Sequence, residues 1–125
     1  MSKTFAAIAA LTVILAASSA SAQMLKTADT AKGKTFVDAK GMTLYTFDKD
    51  PAGRSACNGD CAVKWPPVIA TDGARAGGDY SIVTRDDGRK QWAFRGKPLY
   101  TWPEDQEPGD KYGDNYLKVW HVVPG

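Results

Sequence analysis

The chain holds two cysteines, one histidine and, after Ala22, no hydrophobic run long enough to cross a bilayer. Each shortage closes a class of function. Two thiols and one imidazole are too few for a structural zinc site, which takes about four ligands. No serine sits in a G-x-S-x-G elbow, and no glycine-rich loop leads from a strand into a helix to cradle phosphate. Basic residues nowhere interleave with aromatics as a nucleic-acid surface requires, and no basic amphipathic helix is offered to a membrane. Charge of one sign is missing too, since 16 basic residues face 14 acidic ones. No nucleic-acid partner, cofactor or catalytic group is expected.

What is present begins with an address. Lys3, the apolar stretch Phe5 to Ala17 and the small-residue run Ser18 to Ala22 follow the order of a secretory signal peptide, cleaved before Gln23. The stretch is shorter than the roughly 20 residues of a spanning helix. No cysteine stands at the cleavage point, so a lipid anchor has no support. The product is expected in the bacterial periplasm or outside the cell, as one domain of about a hundred residues. In that oxidising compartment Cys57 and Cys61 should pair, closing a short loop that stabilises by about 2 kcal/mol. A redox dithiol is the alternative, yet its usual spacing has two intervening residues and a βαβ setting. Here the spacer is Asn58-Gly59-Asp60.

The strongest positive signal is internal repetition. Shifted by about 55 residues and without a gap, Gly33 meets Gly88, Gly41 meets Gly96, and Leu44-Tyr45-Thr46 meets Leu99-Tyr100-Thr101. Phe47 then meets Trp102, Asp50 meets Asp105, Trp65 meets Trp120 and Val68 meets Val123. Two copies make a duplicated module, not a solenoid. Residues 23–32 show no periodicity and read as a flexible lead-in. Copy 1 is then placed at 33–70, a polar linker at 71–78 and copy 2 at 79–124, within one domain spanning 33–125.

Short alternating stretches predict strands at Lys34 to Val37, Met42 to Phe47, Asp79 to Thr84, Lys90 to Phe94, Pro98 to Trp102 and Tyr116 to Val123. Asp86-Asp87-Gly88-Arg89 is hairpin chemistry. Asn58-Gly59-Asp60 is read as the cap of one helical turn through Lys64, and Trp65-Pro66-Pro67 must leave it extended. The fold class is all-β, with two similar halves sharing one core.

The repeated residues also resemble a known family. Tyr45-Thr46-Phe47-Asp48-Lys49-Asp50 and Tyr100-Thr101-Trp102-Pro103-Glu104-Asp105 both fit the Yx(FWY)xxD pattern of the bacterial "secreted repeat of unknown function" proteins, often called predicted lipoproteins. Cys57-Asn58-Gly59-Asp60-Cys61-Ala62 with Trp65-Pro66-Pro67, Gly96-Lys97-Pro98-Leu99-Tyr100 and Trp120-His121-Val122-Val123-Pro124 look like further signatures of that family. Two departures stand out. The lipidation cysteine of many members is absent, and Asp114-Asn115-Tyr116-Leu117 stands where relatives tend to be glycine-rich. The resemblance implies a secreted β-rich module and no catalytic residue.

Each constellation has a plain and a functional reading. Tyr45, Phe47, Tyr100 and Trp102 share strand faces, so their rings suit a core, with Asp50 and Asp105 accepting from turn amides. A sugar-binding platform is the functional alternative. Asp105, Glu107, Asp110 and Asp114 offer oxygens to calcium, but their spacing fits no EF-hand, and a loop of self-capping Asx turns is preferred. His121 follows Trp120 and points to the opposite face, as a surface residue. The expected function is a non-enzymatic binding or structural module of the cell envelope, with Trp65, Trp120, Tyr45 and Tyr100 in the shared core. The alternatives are an envelope hydrolase using the 104–115 carboxylates with His121, and a calcium- or glycan-dependent adhesion module. A glycan or protein partner, or a second copy at an open sheet edge, fits this reading.

Overall fold

The computed structural model describes residues 26–30 and 33–125. The signal peptide assigned to 1–22 lies outside the described residues. Among the described residues seven strands carry the fold: β1 Lys26–Thr30, β2 Gly33–Val37, β3 Tyr45–Phe47, β4 Tyr80–Thr84, β5 Lys90–Phe94, β6 Lys97–Pro98 and β7 Trp120–Val122. One helical turn, α1 Asp60–Lys64, and a 3-10 turn at Tyr116–Lys118 interrupt them. All strand pairings are antiparallel, in three small sheets ordered β1-β2, β3-β7 and β4-β5-β6. The all-β, duplicated architecture expected from the sequence is what forms.

Two expectations need correction. The strand read from Tyr116 to Val123 starts only at Trp120, because Asn115, Leu117 and Lys118 take positive φ and Tyr116–Lys118 forms the 3-10 turn. Residues 26–30 were placed in a flexible lead-in, yet they form β1, in register with β2 from Lys26 opposite Val37 to Thr30 opposite Gly33. Apart from half-buried Ala28, the side chains described in this strand are exposed, so it carries no buried face for a pattern search to find. Its partner supplies the order. Hairpin β1-β2 is the counterpart of hairpin β4-β5, whose register runs from Tyr80 opposite Phe94 to Thr84 opposite Lys90.

A two-residue loop then joins β5 to β6. Arg95 and Gly96 both have positive φ, 50° and 80°, which matches the strand twist of a type I′ hairpin. Ahead of α1, the Asn58 side chain makes no cap. The Asn58 carbonyl accepts instead from the Cys61 amide at 3.2 Å, and Gly59 holds the cap position.

Each half is finished by the other. After α1 the chain runs extended into copy 2, where Val68 N–H donates to the Leu99 carbonyl, Trp92 N–H to the Val68 carbonyl and Ala70 N–H to the Lys90 carbonyl. The equivalent segment of copy 2 runs back into copy 1. Phe36 N–H donates to the Val123 carbonyl, Val123 N–H to the Leu44 carbonyl and Gly125 N–H to the Lys34 carbonyl. Between them Tyr45 and Tyr100 exchange both backbone hydrogen bonds at 2.9 Å, each with its own counterpart. A local twofold relation therefore passes between these two residues.

Two buried clusters fill the interior. Leu44, Leu99, Ala70, Trp92 and Val123 form one, and Tyr45, Tyr100, Trp65, Trp120 and Cys57 the other. Cys57 and Cys61 are joined in a disulfide, as expected. Reducing it should lower the unfolding free energy by about 2 kcal/mol and leave the domain folded, because it closes a short loop beside a core that other contacts hold. Denaturant melts with and without reductant measure this; complete unfolding under mild reduction would contradict it.

Candidate functional site

The repeated motif is a crossed lock. Tyr45 of copy 1 donates its hydroxyl to Asp105 of copy 2 at 2.5 Å, and Tyr100 of copy 2 donates to Asp50 of copy 1 at 2.7 Å. The second oxygen of each carboxylate accepts from a turn amide, Ala56 N–H for Asp50 at 2.7 Å and Tyr112 N–H for Asp105 at 2.9 Å. Gly113 N–H donates to the Tyr45 hydroxyl at 3.2 Å. A side chain at Gly113 has no room, since its Cβ would lie 2.6 Å from the Trp65 ring.

Beside the lock the rings stack in alternation between copies. Phe47 lies on Trp120 at 4.2 Å, Trp120 on Trp65 at 3.9 Å and within 4° of parallel, and Trp65 on Trp102 at 4.2 Å. Tyr45 meets Trp65 edge-on and Tyr100 meets Trp120 edge-on, at 5.2 and 5.1 Å. All eight motif residues are therefore engaged with one another, Phe47, Asp50 and Trp102 while partly exposed.

Around Tyr100 the lock extends into a polar network absent from the sequence reading. Arg85 is 3 % exposed. Its guanidinium donates to Ser55 Oγ, Gln91 Oε1 and the Cys57 carbonyl, at 3.1, 2.8 and 2.8 Å. Ser55 shares a 2.6 Å hydrogen bond with the Tyr100 hydroxyl, and Gln91 donates to the Leu99 carbonyl at 2.7 Å. The signal was available in the repeat. At the corresponding places in copy 1 stand Thr30 and, by the equivalent bridges Thr35 to Pro124 and Gln91 to Ile69, Thr35, so an arginine and a longer amide replace two threonines in copy 2.

The loop carboxylates separate. Asp105 is in the lock, Asp110 accepts from the amides of Gln106 and Glu107, four and three residues before it, at 3.0 Å, and Asp114 accepts from Val122 N–H at 3.0 Å. Glu107 stays exposed. Among the described residues no three His, Cys, Asp or Glu side chains converge to hold a metal. His121 bonds Asp48 across the β3-β7 pair at 2.7 Å, on the surface and with a carboxylate outside the 104–115 loop.

An open concavity lies elsewhere. A cleft of about 620 Å³ opens between the copies, lined by Phe36 from β2, Tyr80 from β4 and Phe94 from β5. Phe36 and Phe94 are 4.5 Å apart, and Tyr80 closes the triangle at 6.2 and 5.4 Å. All three rings are partly exposed. The Arg95 guanidinium sits 5.0 Å over the Phe94 ring and pairs with Asp79 at 3.4 Å on the rim.

Duplicated strands, a crossed lock and a disulfide-closed loop define a fused two-repeat β module. The chain belongs to the family described as secreted repeat of unknown function, whose model matches it twice, at residues 26–69 and 81–124. The first match starts with β1, seven residues before the start read from the sequence, and its offset from the second equals the period of the repeat. No curated protein and no solved structure matches the chain.

The lock sets how stability responds to pH. Burial raises the phenol pKa of Tyr45 and Tyr100 far above its ordinary value, and the hydrogen-bonded carboxylates raise it further. Burial also raises Asp50 and Asp105, against the lowering effect of the tyrosine bonds. A raised folded pKa favours the protonated form. The carboxyl contribution is full below about pH 3.9, the ordinary aspartate value, and is lost as pH rises through the raised pKa. The phenol contribution is full below about pH 10 and is lost above it. Alkaline titration should therefore show Tyr45 and Tyr100 ionising only as the fold is lost, seen as phenolate absorbance rising together with loss of near-UV dichroism. Separately, Tyr45→Phe leaves a buried carboxylate short of a donor and should cost about 1–3 kcal/mol in a chemical melt. His121→Ala, at the surface, should change stability by less than about 0.5 kcal/mol.

Proposed function

We propose that this protein is a non-enzymatic binding module of the bacterial cell envelope, and that its ligand is a glycan seated in the cleft of Phe36, Tyr80 and Phe94. One observation carries the reading: three partly exposed rings from three strands line one open cleft, whereas the motif rings stack on one another. Apolar ring faces suit the C–H face of a pyranose, and the Arg95–Asp79 pair on the rim offers donors and acceptors to its hydroxyls. Burial, with Asp79 nearby, raises the pKa of Tyr80, which keeps its hydroxyl protonated as a donor. A chemistry of bond cleavage has less support, because His121 and the carboxylates of the 104–115 loop have separate partners.

The test uses soluble peptidoglycan fragments and chitin-type oligosaccharides as probes. A probe that binds only the folded protein stabilises it by about 2.7 kcal/mol at a hundredfold excess over its dissociation constant, read as a rise in melting temperature. Tyr80→Ala should abolish that rise while the apo protein keeps its fold. No rise with any probe at millimolar concentration would refute the glycan assignment.

A further inference from the structure

We infer that the segment 120–125 can leave its own chain and complete copy 1 of a second chain, so that two molecules exchange this strand to form a closed dimer. The partner is a second copy of this protein, and the interface is one already built within the monomer. Residues 120–125 make their ladder with copy 1: Tyr45 opposite Val122, Phe47 opposite Trp120, Thr35 bridged to Pro124, and backbone bonds to Phe36, Leu44 and Lys34. All of these acceptors and donors are equally available on another chain. Nothing new has to be made for the exchange; the same contacts are redistributed between two molecules.

What gives the exchange a driving force is the turn that leads into β7. Asn115, Leu117 and Lys118 all have positive φ, 64°, 50° and 62°. Asparagine accepts that region readily, but leucine and lysine do not, because the Cβ crowds the following carbonyl. Leu117 is also 73 % exposed, so little packing offsets the strain. The Asn115 amide and the Trp120 carbonyl, 2.7 Å apart, fold the turn back on itself and aim β7 at copy 1 of its own chain. Opening this hinge to an extended conformation releases the strain in both molecules of a dimer and gives up the Asn115–Trp120 bond, while the ladder of residues 120–125 with copy 1 is kept. Short strained hinges are the setting in which strand exchange occurs.

The experiment holds the oxidised protein at high concentration just below its melting temperature, cools it and separates species by size-exclusion chromatography with light scattering. A slowly exchanging dimer is expected. Leu117→Gly removes the Cβ penalty in the closed turn and should lower the dimer-to-monomer constant by about tenfold. Exchange is distinguished from side-by-side association by a cysteine pair at facing positions, T46C/H121C, oxidised after the dimer has formed. In an exchanged dimer the new disulfide joins two chains, and in a monomer it closes within one, as a non-reducing gel shows. T35C/P124C reports on the same strand should the first pair fail to fold. Absence of any dimer, a dimer whose cross-strand disulfides form within single chains, or a dimer fraction indifferent to Leu117→Gly would each overturn the proposal.

Discussion

Everything in this fold depends on the tyrosine of one repeat reaching the aspartate of the other. A phenol and a carboxylate withdrawn from water are tolerable only when each finds a partner, and here each phenol finds its carboxylate in the other repeat. The reciprocal backbone pair of Tyr45 and Tyr100 brings both locks to the centre of the molecule. From that arrangement the alternating ring stack, the crossed final strands and the two shared clusters follow. A single repeat would present an unfinished sheet, half of a stack and a buried group without its acceptor.

Much of this was legible in the sequence, and the limits were physical ones. The period of the self-match gave two equivalent halves, and Asp86 to Arg89 gave a hairpin, because both signals are local or exact in spacing. Asp50 and Asp105 were read as acceptors of turn amides, and each does accept one. That their other oxygens reach the opposite repeat was not readable, since no local pattern states which copy supplies a partner. Strand β1 escaped because its described side chains are mostly exposed and its order comes from β2. The cleft escaped for a similar reason: Phe36, Tyr80 and Phe94 lie on three strands and meet only after those strands pair.

The repeat is most informative where it fails. By its backbone partners Phe36 in copy 1 corresponds to Trp92 in copy 2, and the two do opposite things. Phe36 helps to line the open cleft, while Trp92 is buried in the cluster with Leu44 and Leu99. Identical positions hold the halves together, and the differing ones give the molecule a front and a back. A duplicated framework thereby acquires one unique concave face without disturbing the lock that both halves need.

The crossed strands also bear on how a secreted chain acquires its shape. The edge formed by Lys34, Phe36 and Leu44 is completed only by residues 123–125, far along the chain from it. Until copy 2 is in place the earlier half has an unpaired edge and no acceptor for Tyr45, so it gains little by closing early. Completing copy 1 thus means closing a loop that spans nearly the whole domain, the kind of non-local contact that slows folding.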